Sequence, residues 1–305
     1  MVEDTGKIIS NGFEIYTKNL NLGIPFVLNF FITILLAGIV FGFGFFYLFG
    51  SSLSSLKNAA SPEEVIPIIL SIITQHLFEI VILVLIFFLI TMFLQSFFVA
   101  GAIGMAQKAT ETGKSELSTM IEAGKKNVVN LYLAEILVGL LSLAGIVFMV
   151  PGAMKTDLAQ ILSSPNEGAV LLLIGGFLLW IVYLVILSLV LAVFTYALVI
   201  DHLGPIDGIL TGFRFFNRHK FDVFLLWLII GVIAIVLTII GQVMGLIPVM
   251  NILWHFINMF ISIFIIPPLT TLWWVRLYMT RTDKKIYFNE LLAHPNDLEK
   301  QRAIQ

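Results

Sequence analysis

Polar residues recur at regular intervals near the end of this 305-residue sequence, inside a long apolar stretch. Their spacings of four, three and four residues place them on one face of a helix, which turns by about 100° per residue. These residues are Asn251, His255, Asn258 and Ser262. Pro267 and Pro268 follow and lack backbone N–H groups, so the helix must kink or unwind there and free carbonyl oxygens. The pattern is typical of a ligand site or conduction path, and also of a hydrogen-bonded seam between helices.

Two charged residues lie inside apolar runs, where an isolated charge is costly. Glu135 lies roughly 9 Å along the third run at 1.5 Å per residue, and Arg276 lies near the end of the sixth. We expect Glu135 to be protonated or paired, with Arg276 as its partner. A proton or cation site at Glu135 is the alternative interpretation.

A cluster of cations precedes the fifth apolar run and consists of Arg214, Arg218 and Lys220. Such a patch suits lipid phosphate, but it also satisfies the tendency of cytoplasmic loops to be positive.

His76 and Glu79 lie one turn apart, yet two ligands are too few for zinc. The sequence therefore predicts lipid-headgroup candidates, and no metal site or cofactor.

Recognised catalytic motifs are absent: the sequence has no HExxH, GxSxG, P-loop or dinucleotide-binding glycine pattern. It has no cysteine, which excludes disulfides and thiolate chemistry. The net charge of −2 gives no reason to expect a nucleic-acid partner. We therefore expect a protein that is not an enzyme.

The composition requires a membrane, because 59% of the residues are hydrophobic and only 12% are charged. Six apolar runs reach the roughly 20 residues that cross a bilayer as a helix. They cover residues 24–49, 77–106, 129–150, 168–200, 222–247 and 249–280. Residues 62–76, which contain Pro67, and residues 156–164 are predicted to be interfacial or re-entrant pieces. The predicted fold class is an all-α polytopic membrane protein with six transmembrane helices.

The cations indicate the orientation of these helices. If the six spans alternate in direction, all but Lys57 and Lys155 of the 17 lysines and arginines fall on one side. The sequence therefore predicts a multi-pass protein of the cell membrane with both termini in the cytoplasm.

A short pattern occurs three times, as Ile9 with Gly12, Ile121 with Gly124, and Ile209 with Gly212. Each copy begins a short amphipathic stretch that leads into an apolar span, as expected for an in-plane helix at the membrane surface. We interpret residues 1–305 as one membrane domain of three repeats, at about 5–107, 115–201 and 205–280. Each repeat is an interfacial helix plus a helical hairpin, and residues 281–305 form a cytoplasmic tail.

These lead-in motifs carry a family resemblance. Gly12-Phe13 and Lys18-Asn19 precede Pro25, and Gly212-Phe213-Arg214 precedes Asn217 and Lys220. In them the chain resembles uncharacterised prokaryotic six-helix integral membrane proteins and the membrane domain beside some glycerophosphoryl diester phosphodiesterases. The resemblance implies a six-span module without catalytic residues, because the phosphodiesterase chemistry belongs to a separate soluble barrel domain.

Two functions follow from these patterns. The first is a non-enzymatic membrane module that organises lipid or partner proteins through its in-plane helices and basic patches. The alternative is a transporter or channel for a small or amphiphilic solute, which would use the polar stripe and double proline of the sixth helix. Membrane lipids are the expected partners, with a protein partner or a second copy of the chain as further candidates.

Overall fold

The computed structural model describes residues 3–50, 62–155 and 167–286, and every regular element within them is helical. The first half contains α1 (Thr5–Lys18), α2 (Ile24–Phe49), α3 (Pro62–Gln75), α4 (Leu77–Thr112) and α5 (Leu117–Ala144). The second half contains α6 (Val150–Ala153), α7 (Glu167–Val190), α8 (Phe194–Ile200), α9 (Pro205–Arg218), α10 (Lys220–Gly245), α11 (Pro248–Phe260) and α12 (Ile266–Arg281). Short 3₁₀ turns at Leu20–Gly23 and Gly145–Met149 and a π-helical segment at Ile261–Ile265 connect some of them.

Six helical stretches are long and apolar enough to cross a membrane, which confirms the predicted all-α polytopic fold class. They are Leu20–Tyr47, Leu77–Thr112, Leu117–Ala153, Glu167–Ile200, Lys220–Gly245 and Pro248–Arg281. Helices satisfy their own backbone hydrogen bonds, so the many β-branched residues do not produce strands here. The predicted piece at 156–164 and residues 287–305 of the predicted tail lie outside the described residues.

Tight packing is concentrated at one end of the bundle. There the large buried side chains of several helices form one hydrophobic core, as Met105, Leu131, Leu198, Leu226 and Leu272 illustrate. We call this region the hub and define it as residues 3–23, 96–134, 191–226 and 266–284. The other parts of the spans, which we call the distal halves, leave most of their large apolar side chains exposed. That exposure suits contact with lipid.

The lead-in helices belong to the hub. Both α1 and α9 have 14 residues and are separate from the spans that follow them. The second lead-in is different, because residues 117–128 form the first turns of the continuous helix α5. The expectation of a separate in-plane helix at this position is therefore wrong. A straight helix here lets α5 pack along most of α4, from Gly101 and Gly104 onward.

The three glycines of the predicted repeat make similar contacts. Gly12 lies against Trp273, and a Cβ atom there would come within 2.5 Å of the indole ring. Gly124 lies against Phe97 in the same way, and Gly212 lies against the backbone of Phe194. In each case a lead-in segment packs on the hub end of a span from another predicted repeat. A three-copy organisation would produce this arrangement, and the repeat itself stays a prediction.

Two asparagines fix the loop between the second and third spans. Helix α4 ends at Gly113, whose φ of 76° is the left-handed conformation that glycine adopts readily. The Asn19 side chain donates to the Gly113 carbonyl over 3.0 Å and accepts from the Ser115 N–H over 2.8 Å. Asn21 donates to the Ser115 carbonyl over 3.0 Å. These bonds tie the start of the first span to the rest of the hub.

Candidate functional site

A groove of about 540 Å³ lies between α10 and α11, in the distal half of their hairpin. All four residues of the predicted polar stripe line it, joined by Thr238 and Gln242 of α10. The π-helical segment and the start of α12 continue the α11 side of the groove as far as Ile266. The structure thus brings the stripe together with two polar residues of the preceding span. Thr238 and Gln242 were not predicted to belong to this site, although both are polar residues within an apolar run.

The polar side chains of this groove have few partners in the protein. Thr238 donates to the Ala234 carbonyl of its own helix over 2.8 Å. Across the described residues, the structure contains no hydrogen bond to the other five side chains, which are Gln242, Asn251, His255, Asn258 and Ser262. Gln242, His255 and Ser262 are exposed, and the two asparagines are half-buried. The stripe therefore does not form the hydrogen-bonded seam that was one of its two interpretations.

The chemical character of the groove changes along its length. Near the turn between α10 and α11 it is lined by Gln242, Asn251 and His255. Toward the hub it is lined by Ile230, Ile233 and Ile266, together with Ser262. None of its lining residues is an aspartate, glutamate, lysine or arginine. The groove therefore combines a hydrogen-bonding end that has no carboxylate, ammonium or guanidinium group with an end that is mostly apolar.

The double proline lies where the groove meets the hub. Pro268 has no N–H to give to the carbonyl four residues earlier, which belongs to Phe264. The Tyr16 hydroxyl donates to this carbonyl over 2.5 Å. Burial raises the pKa of Tyr16, so the hydroxyl keeps the proton that it donates. The helix is interrupted by the π-helical segment Ile261–Ile265 just before Pro267 and Pro268, and the Tyr16 hydroxyl joins this segment to the lead-in helix α1.

Glu135 and Arg276 are not partners, contrary to expectation. The Ser96 hydroxyl donates to the Glu135 carboxylate over 2.6 Å, because α5 packs along α4. Arg276 instead binds Glu3, because α12 packs against α1. The sequence places both charges near the same end of their spans, but it does not show which helices are neighbours.

The Glu3–Arg276 pair is buried, with only 2% of each side chain exposed. Arg276 Nε donates to one Glu3 oxygen over 2.7 Å, and Arg276 Nη2 donates to the other over 2.5 Å. Asn11 also donates to Glu3 over 2.9 Å, and Arg281 donates to its backbone carbonyl over 2.7 Å. This fork-shaped contact pairs both carboxylate oxygens of Glu3 with the guanidinium, while the Nη1 nitrogen of Arg276 is buried without a hydrogen-bond partner. Glu3 was not predicted to be a partner of Arg276, because nothing near it in the sequence points to Arg276.

Further polar contacts join the hub at its outer surface. Asp201 accepts from the Tyr278 hydroxyl and lies 2.5 Å from Lys284 Nζ. The Arg281 guanidinium donates to Asp222 over 2.7 Å. The His202 ring contacts Asn127, and burial is the main cause that lowers the pKa of His202. These residues hold the loops after α8 and α12 against the spans and form a structural network.

The three headgroup candidates lie at the surface of the hub. Arg214, Arg218 and Lys220 are exposed, and none takes part in an ion pair within the described residues. Beside them α9 exposes Ile206 and Phe213. The structure therefore places an apolar face and two free cations, Arg214 and Arg218, on α9, with Lys220 at the start of α10.

The acidic and histidine residues of the described chain do not converge. No group of three His, Asp or Glu side chains there lies close enough to hold a metal ion. His76 Nδ1 and Glu79 Oε1 lie 3.8 Å apart, so these two residues are neighbours, as their spacing of one helical turn predicts.

Comparison with known proteins gives a family. The model of a domain of unknown function, DUF7847, matches residues 86–279, which include the groove, Glu135 and Arg276. An uncharacterised protein of Archaeoglobus fulgidus is 26% identical over 192 residues, and the match covers 56% of this chain and 58% of that protein. No solved structure matches. Because the matched region makes up more than half of the chain, the protein belongs to the DUF7847 family.

Proposed function

We propose that the protein is a non-enzymatic membrane module that binds anionic lipid headgroups at the hub surface through α9. The exposed apolar face of α9 beside three unpaired cations carries this proposal. A lipid phosphate accepts hydrogen bonds from arginine and lysine, and an apolar helix face enters the boundary between headgroups and acyl chains.

The geometry of α9 supports an in-plane position. Ile206, Leu210 and Phe213 are spaced by four and three residues and are all exposed. The opposite face carries Gly208 and Gly212, which lie directly against α8. The helix is therefore held on one side by protein and presents its other side outward. At about 100° per residue, Arg214 and Arg218 lie beside the exposed apolar stripe, where they reach headgroups.

The proposal includes an orientation. The cations outside the spans are concentrated at the hub end, which is the cytoplasmic side by the positive-inside rule. The cytoplasmic leaflet is rich in anionic lipid, and each cation near its surface contributes about 1 kcal/mol of attraction. The module would then lie in the cell membrane with both termini in the cytoplasm. The resemblance to membrane domains beside glycerophosphoryl diester phosphodiesterases is consistent with a membrane module that leaves catalysis to other domains.

The test compares lipid selectivity in reconstituted vesicles. Spin-labelled phosphatidylglycerol and phosphatidylcholine report by electron paramagnetic resonance how much of each lipid contacts the protein. The triple variant Arg214→Gln, Arg218→Gln and Lys220→Gln should lose selectivity for phosphatidylglycerol at low salt. Lys155→Gln, which alters an exposed cation in the distal region, is the control and should leave it unchanged. Equal selectivity in the triple variant and the wild type would overturn the proposal.

Transport of an amphiphilic solute is the second candidate, and the open polar groove between α10 and α11 favours it. A path from this groove through the protein would have to cross the hub. There residues 271–280 of α12 are all buried, and Leu272 and Val275 have no exposed surface. In this structure the groove is therefore closed toward the hub, which favours binding over conduction.

A single introduced cysteine distinguishes ligand binding in the groove from transport through it, because the natural chain has no cysteine. If the groove only binds its ligand, a membrane-impermeant thiol reagent should react with the Asn258→Cys protein from the distal side and not from the hub side. Reaction from both sides would show alternating access and would favour the transporter.

A further inference from the structure

We infer that the groove between α10 and α11 is a binding site for an amphiphile whose headgroup is uncharged and rich in hydroxyl groups. The amphiphile would enter from the distal leaflet. This inference is independent of the proposed headgroup binding at α9, because it concerns a different surface at the opposite end of the spans.

Several polar groups of the groove are unpaired. Within the described chain, five polar side chains of the groove have no hydrogen-bond partner in the protein. Gln242 and Asn251 lie near the turn, whereas Asn258 and Ser262 lie deeper along the span, where no bulk water replaces such a partner and an unpaired amide or hydroxyl is unfavourable. Asn251 and Ser262 are eleven positions apart, so the stripe extends about 16 Å along the helix at 1.5 Å per residue. A ligand that pairs with these groups removes the cost.

The groove lining also restricts the charge of a ligand. The side chains of Asn251, Asn258 and Gln242 each offer both donors and acceptors. No lysine or arginine lines the groove to neutralise a phosphate, and no aspartate or glutamate lines it to neutralise an amine. Mixed donors and acceptors without charge match hydroxyl groups, which also donate and accept. Trp254 adds an indole ring to the wall.

The polarity of the groove also favours one orientation of the ligand. The polar end of the groove faces the turn at Leu246 and Ile247, where the hairpin reaches the distal membrane surface. The apolar end, at Ile230 and Ile233, points toward the hub. A lipid of the distal leaflet has the same polarity, since its headgroup lies at the surface and its chain points inward. The volume of about 540 Å³ accommodates a sugar headgroup with the first part of a chain.

The experiment uses the full-length protein in phosphatidylcholine nanodiscs. The probe is a glycosyl diacylglycerol that carries a diazirine near the headgroup, and a phosphatidylglycerol with the same diazirine is compared with it. After irradiation, mass spectrometry should find the glycolipid on residues 230–266 and much less phosphatidylglycerol there. The double variant Asn251→Leu and Asn258→Leu should reduce glycolipid labelling about tenfold, since it removes hydrogen bonds worth about 1.4 kcal/mol together.

Ser188→Leu is the matched control, because it replaces an exposed polar residue of another span that bonds only to its own helix. It should not change labelling of residues 230–266.

If the double variant fails to fold, competition on the wild-type protein decides: excess unlabelled glycolipid should remove the label, and excess phosphatidylglycerol should not. Labelling that is equal for both probes, or stronger for phosphatidylglycerol, overturns the inference. Cross-linking of two protein copies through this groove also overturns it, because a second chain would then be the occupant.

Discussion

The hub and the α10–α11 groove contain similar polar residues, but those of the hub have partners within the protein and most of those in the groove do not. In the hub, Asn19 makes three hydrogen bonds to the protein, and Arg276 and Glu3 are paired in a buried contact. In the groove, Asn251 and Asn258 make none with the described chain. Two polar atoms of the hub are exceptions, namely the Thr280 hydroxyl and one nitrogen of Arg276.

This difference separates structural polar groups from candidate binding groups. A polar side chain that is fully satisfied by the protein fixes one helix against another and has no capacity left for a ligand. A polar side chain at membrane depth without a protein partner contributes nothing to the fold and retains that capacity. Residue type alone does not distinguish the two cases, so each must be judged by its partners.

The largest effect is expected when the Glu3–Arg276 pair is broken. Glu3→Gln removes one charge and leaves the Arg276 guanidinium buried without a counter-charge, which costs about 3–5 kcal/mol in comparable buried pairs. The thermal midpoint of unfolding in detergent should fall markedly. Glu3→Met combined with Arg276→Met should recover much of the loss, because both charges are then absent.

Lys18→Gln is the control for this change. This substitution breaks the ion pair between Lys18 and Glu14, whose side chains are 53% and 47% exposed, respectively. The free energy of unfolding should therefore fall by about 0.5 kcal/mol or less. A midpoint for Glu3→Gln that matches that of Lys18→Gln would show that the hub does not depend on the buried pair.

A smaller effect is expected at the hub end of the groove. Tyr16→Phe removes the donor to the Phe264 carbonyl and should cost about 1 kcal/mol, because a partly buried acceptor loses its partner. Tyr132→Phe is the control, since Tyr132 makes an edge-to-face ring contact with Phe93 and has no hydroxyl bond within the described structure.

Pro268→Ala sharpens this test, because alanine restores an N–H that can reach the same carbonyl. In a double-mutant cycle of thermal midpoints, Tyr16→Phe should cost less in the Pro268→Ala protein than in the wild type. An equal cost in both backgrounds would mean that the Tyr16 hydroxyl does not replace the N–H that Pro268 lacks.

The sequence predicted the parts of this protein that depend on local pattern. Six apolar runs became six spanning stretches, since length and hydropathy suffice to recognise a helix in lipid. The spacing of Asn251, His255, Asn258 and Ser262 placed them on one face, and the structure places all four along one groove.

The sequence did not predict which helices are neighbours. Glu135 and Arg276 were predicted to be partners because both lie near the same end of their spans. In the structure α5 packs on α4 and α12 packs on α1, so the two side chains have different partners. Glu3 and Tyr16 lie more than 200 residues from their partners, and pairing over such distances depends on helix packing. The second lead-in was expected to lie in the membrane plane, yet residues 117–128 continue without interruption into the rest of helix α5.

One paired measurement tests the contrast between hub and groove most directly. Asn19→Leu and Asn258→Leu make the same chemical change in the two regions, and their thermal midpoints of unfolding can be compared in one detergent without added lipid. We expect Asn19→Leu to cost about 3 kcal/mol, at about 1 kcal/mol for each lost hydrogen bond, and Asn258→Leu to leave the midpoint unchanged or raise it. Equal destabilisation by both would contradict the account, because Asn258 would then be held by the protein rather than free for a ligand.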